Sequence, residues 1–80
     1  MNIYRHAFMA RCPANGILVR YRLTVTSEEM IRAETIVAAC AKHEDGFHEV
    51  IADALLIALG GEQVLIAHHH GVDIETRRGG

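Results

Sequence analysis

The segment from Ile17 to Thr26 constrains this chain most. Ile17, Val19, Tyr21, Leu23 and Val25 alternate with Leu18, Arg20, Arg22, Thr24 and Thr26. A period of two, rich in β-branched residues, fits a strand with one buried face and does not fit a helix. Asn15-Gly16 stands directly before it, and both residues tolerate the positive φ that a tight hairpin turn needs. The partner strand is then 3–12. With Asn15 and Gly16 as the two turn residues, Cys12 faces Val19, Ala10 faces Tyr21 and Phe8 faces Leu23, all apolar and on one face. The other face carries Arg5, Ala7, Met9 and Arg11, with Arg20, Arg22, Thr24 and Thr26 across from them. Pro13, just before the turn, costs little ladder hydrogen bonding.

After the hairpin the period changes. Thr26 and Glu29 suit a capping box, and Met30, Ala33, Val37, Cys40 and Ala41 recur at helical spacing. The pattern predicts a first helix from Thr26 or Ser27. His43-Glu44-Asp45-Gly46 interrupts it. A second helix is expected over 47–59, with Phe47, Val50, Ile51, Ala54, Leu55 and Ala58 as its apolar stripe and Gly60-Gly61 as its stop. Val64 to Ala67 reads as a third strand. His70-Gly71 turns it into a fourth strand over 72–76, or else one long strand continues to Arg77. The expected fold is α+β: a small antiparallel sheet, made of the N-terminal hairpin and one or two C-terminal strands, with two helices on one face, in the order ββααβ(β). Residues 1–77 form one domain and 78–80 a flexible tail.

Composition narrows the class. The chain has 80 residues, half of them apolar, with one proline and no tryptophan. Such a chain can bury a core, but a thin one, and a homodimer would enlarge it. The formal net charge of -2 creates no general attraction to nucleic acid. The longest apolar run, 54–59, is too short to span a bilayer, and the N-terminus lacks the apolar stretch of a signal peptide. A cytoplasmic location is expected, with Cys12 and Cys40 reduced and structural. No cofactor is implied.

The hairpin face with Arg5, Arg11, Arg20 and Arg22 is the first candidate site. Arg11 and Arg20 would lie directly opposite each other, and like charges across a sheet repel. Asp73, Glu75 or Glu62 could neutralise them within the fold. Otherwise an acidic protein partner would, since guanidinium forks bind carboxylate in bidentate fashion. Nucleic acid is not favoured, because Tyr4, Phe8 and Tyr21 fall on the buried face and leave no stacking aromatic beside the arginines. Leu56 and Ile57 extend the second helix's apolar surface and are a further candidate contact for a partner.

Six histidines include the run His68-His69-His70. On a strand His68 and His70 point the same way and could share a metal with His43 or His48. No HExxH or cysteine pair accompanies them, and the plain alternative is a strand end. No catalytic set is found. Ser27, the single serine, reads as a cap, and Glu49 with Asp53 reads as a solvated helix face. Cys12 could pair with a histidine, but the hairpin register buries it among apolar neighbours, where a thiolate is disfavoured.

Arg77-Arg78-Gly79-Gly80 resembles the diglycine terminus of ubiquitin-like proteins and sulfur carriers, which implies a thin, mobile tail open to conjugation. In size, hairpin–helix–strand build and lack of a catalytic set, the chain resembles small phage- or mobile-element-encoded proteins, anti-CRISPR inhibitors among them. That resemblance implies a non-enzymatic inhibitor or adaptor that occludes a larger host complex. The alternatives are a metal- or ligand-binding domain centred on His68 and His70, and the carrier.

Overall fold

A computed structural model describes all residues 1–80. The elements are β1 (Asn2–Arg11), β2 (Leu18–Ser27), α1 (Ala33–Ala41), α2 (His48–Leu59), β3 (Glu62–His69) and β4 (Val72–Arg78). The four strands form one antiparallel sheet in the order β1-β2-β3-β4. The fold is therefore α+β, with both helices on one side of the sheet.

The core lies between sheet and helices. Val19, Tyr21, Leu23 and Val25 of β2 and Leu65 and Ala67 of β3 supply its floor, joined by Ala10 of β1. Ile36, Ala39 and Cys40 of α1 and Ile51, Ala52 and Leu55 of α2 close it from above. The central strands bury more than the edge strands because only they have neighbours on both sides. Phe8 stacks on Tyr21 at 5.2 Å between ring centroids, extending the core to the β1 edge.

The β1–β2 register departs from expectation by two positions. Ala10 pairs with Val19, Phe8 with Tyr21 and Arg11 with Leu18. Residues 12–17 form the connection, not Asn15 and Gly16 alone. The Gly16 N–H donates to the Cys12 carbonyl (2.8 Å), the Cys12 N–H donates to the Ile17 carbonyl (2.9 Å), and Asn15 Oδ1 accepts from the Ile17 N–H (3.0 Å). Proline at 13 has no N–H for the ladder, so pairing stops at Arg11. A shift of two keeps every side chain on its expected face. It removes Cys12 from the sheet, however, and Arg11 is no longer opposite Arg20.

The first helix starts at Ala33, well after Thr26. β2 continues to Ser27, whose Oγ accepts from the Glu29 N–H (3.1 Å) in a local turn instead of a capping box. The Ile31 N–H donates to Tyr4 Oη (3.0 Å), pinning this loop to β1 and holding the Tyr4 pKa below its ordinary value. Met30 and Val37, expected in the core, are exposed, and Ile36 and Ala39 take the buried places. On α2 the buried residues are Ile51, Ala52 and Leu55, while Phe47 and Val50 stay exposed.

β3 and β4 are longer than expected, and His70-Gly71 turns between them, with φ of 52° at His70 and 77° at Gly71. Arg78, expected in a loose tail, ends β4. Its guanidinium donates to Asp53 (2.7 Å) and Glu49 (3.2 Å) of α2. The carboxylate pair read as a solvated face thus latches the last strand to the helix. Gln63 is buried and its Nε2 donates to the carbonyls of Leu55 (3.0 Å) and Gly60 (2.8 Å). It caps the Gly60 carbonyl just past the end of α2 and adds a second bond to the Leu55 carbonyl within the last turn.

Candidate functional site

The loop 43–46 fixes the geometry at the far end of the sheet. The Arg11 N–H donates to the Glu44 carbonyl (2.9 Å) and the Gly46 N–H to the Arg11 carbonyl (3.1 Å). This short parallel bridge sets the start of α2 beside the end of β1. Cys12, the next residue, therefore faces Phe47 and His48. Together with Tyr21, His69 and Ile74 they line a pocket of about 140 Å³ between sheet and helix.

The pocket has an apolar wall, and two of the histidines that line it carry orphaned polar atoms beneath that wall. Neither ring nitrogen of His48, nor Nε2 of His69, has a hydrogen-bond partner, although all three are buried. The Leu65 backbone lies near the His48 ring without completing a hydrogen bond. Burial holds the His48 pKa below its ordinary value, so the ring is neutral at neutral pH. A neutral imidazole offers one donor and one acceptor. His48 also lies 5.5 Å from the Tyr21 ring, tilted by 50°. Burial, helped by the nearby Cys12 sulfur, raises the Tyr21 pKa, so its hydroxyl stays protonated. Cys12 is half-buried and free. Cys12 packs against the apolar core as expected, but outside the sheet and half-buried, because the connection has six residues. That same connection brings the thiol to two histidines that sequence spacing had not linked to it.

The other candidates are distributed differently. Arg5, Arg11, Arg20 and Arg22 do share the open face of β1 and β2, opposite Thr24, Leu18, Met9 and Ala7 respectively. Leu56 and Ile57 lie away from them, on the helix layer. Leu56 is half-buried beside Gly79, while Ile57 is 88% exposed. They therefore belong to a different surface. His68 and His70 do not converge. His68 extends from β3 and pairs with Asp73 (2.8 Å), whereas His70 sits in the turn and its Nε2 meets Asn15 Nδ2 at 3.3 Å. No group of three or more His, Cys, Asp or Glu side chains is arranged to hold a metal ion. Gly79 packs against the Gly61 carbonyl and Leu56, so the start of the diglycine lies against the fold.

No helix is long and apolar enough to cross a membrane. No protein-family model and no curated protein matches the chain. Among solved structures, the chain is similar to the crystal structure of the archaeosine synthase QueF-Like in the apo form. The TM-score is 0.78 over 99% of this chain and 93% of that one, at 15% sequence identity. The likeness is one of fold.

Proposed function

We propose that this chain is a ligand-binding domain whose site is the pocket lined by Cys12, Tyr21, Phe47, His48 and His69. One observation carries the reading: two histidines whose buried ring nitrogens lack partners line a pocket that also presents a free thiol. Leaving a buried polar atom unpaired costs about 1–3 kcal/mol. A ligand that supplies the missing partners recovers that cost. The volume suits one small ring, since a cavity of about 150 Å³ is known to take benzene. The ligand best matched is a planar nitrogen heterocycle. A turn of the His48 and His69 rings would bring their buried nitrogens to its ring edge, and its face would lie against Tyr21 and Phe47. The structural neighbour is named a synthase, so a site of chemistry can be built on this fold. Here Cys12 is the nucleophile within reach of such a ligand.

The test is a titration of the protein with uracil, cytosine and pyrazole, following the His48 and His69 ring protons by NMR. Saturable shifts at both rings, lost in His48→Ala, are expected. Shifts spread over the exposed His68 and His70 equally, or none at any concentration up to the millimolar range, reject the pocket as the site.

A further inference from the structure

The sheet has one covered face and one bare face. Along the bare side of β1 and β2, Arg5, Arg22, Arg20 and Arg11 follow one another in a zigzag, because Arg22 and Arg20 oppose Ala7 and Met9, which separate Arg5 from Arg11. Alternate residues on a strand are roughly 7 Å apart. Two shallow depressions run into each other along this track and share Arg22 and Ile66. One reaches Arg5 and Thr24, the other Arg20 and His68.

None of these four arginines pairs with a carboxylate. Of the acidic residues expected to neutralise them, Asp73 pairs with His68 (2.8 Å) and Glu75 with Arg77 (2.8 Å), while Glu62, opposite Thr26, forms no ion pair with any of them. Arg11 donates to the Gly16 carbonyl, and Arg5, Arg20 and Arg22 make no side-chain hydrogen bond. Three guanidinium groups held close together on a rigid sheet repel one another until an anion joins them.

We propose that this face docks an acidic, extended segment of a partner protein, whose carboxylates are received by Arg5, Arg22 and Arg20. Carboxylate is favoured over a nucleic-acid backbone because no phenylalanine, tyrosine or tryptophan lies on this face to stack a base, and the one ring beside the arginines, His68, is held by Asp73 (2.8 Å). Ala7, Met9 and Ile66 between the charges suit the small apolar residues of a peptide. Such a face would let a small protein act as an inhibitor or adaptor by occupying a partner's surface. It lies across the sheet from the heterocycle pocket and acts independently of it.

The experiment uses a fluorescently labelled peptide of alternating Glu and Ala, as long as β1 (10 residues), and follows its anisotropy at low and high salt. The wild-type protein should bind saturably, more weakly at high salt. Arg20→Glu with Arg22→Glu should weaken binding by at least about tenfold, while Lys42→Glu on the helix side should leave it unchanged. Circular dichroism checks that each variant folds, and Arg22→Gln replaces the double reversal if it does not. Equal binding by wild type and variants overturns the proposal. So does saturable binding of a thymidine oligonucleotide of the same length with none of the peptide. Sedimentation of the protein alone as a dimer that the double reversal dissociates would assign the face to a second copy and overturn it as well.

Discussion

Cys12 and Cys40 carry the same functional group in opposite surroundings. Cys40 is 1% exposed between α1 and the sheet, and burial pushes its thiol up to about 11. Cys12 is half-buried at a pocket mouth. Since the thiolate is the reactive form, iodoacetamide at neutral pH should alkylate Cys12 in the folded protein long before Cys40. Peptide mapping by mass spectrometry reads the two sites separately. Equal labelling would mean that the loop and pocket are not as described. A bound heterocycle should slow the Cys12 reaction and leave Cys40 untouched. Gln63 is the second residue with a measurable role. Replacing it by leucine removes both bonds and uncaps the Gly60 carbonyl, and should cost about 1–3 kcal/mol in urea denaturation. Neither role was legible in the sequence. A pattern of apolar periods says which face a residue occupies, but Gln63 is polar on the buried face, and Cys12 changed surroundings when the hairpin connection grew from two residues to six.

At the scale of elements, strand faces were legible and helix limits were not. Alternation in β2 survives a register shift of two, because side chains repeat every second residue. It therefore placed all four arginines on one face correctly even though their cross-strand partners were misassigned. Helix α1 was harder. Thr26, Ser27 and Glu29 read as a cap, yet extending β2 to Ser27 pairs Asn2 and Ile3 with it, and those ladder bonds outweigh a cap. The joint between α2 and β3 tests how tightly the elements are fitted. Gly61 has φ of 70°, and a Cβ there would stand 2.5 Å from the Thr26 carbonyl oxygen. Gly61→Ala should therefore destabilise the protein by at least about 1–3 kcal/mol, whereas Gly71→Ala, with a positive φ but open space around it, should cost less. Equal losses in the two variants would show that the Thr26–Gly61 approach is looser than the structure has it.

For the whole molecule, two buried groups bound the pH range of stability. His48 is held neutral by burial, so its folded pKa lies below the ordinary 6.5. Below about pH 6.5 the unfolded chain takes up a proton there that the folded chain resists, and stability falls until the folded pKa is reached. Glu49 favours the charged ring and Arg78 opposes it, but desolvation outweighs both. Cys40 acts at the other end. Its folded pKa of about 11 exceeds its ordinary 9.0, so the unfolded chain loses the proton first. Stability that is complete below about pH 9 is lost as pH rises towards 11, by an amount on the order of 2 kcal/mol. Urea midpoints measured from pH 5 to 10.5 should therefore trace a plateau with two falling limbs. His48→Gln should flatten the acid limb alone, and Cys40→Ala should flatten the alkaline limb alone, at some loss of overall stability. The acid limb also links the fold to the pocket. A ligand that needs neutral His48 as both donor and acceptor should bind more weakly as pH falls, and its stabilisation of the protein should shrink over the same interval. If ligand-induced stabilisation were constant from pH 5 to 8, His48 would not be the group that receives it.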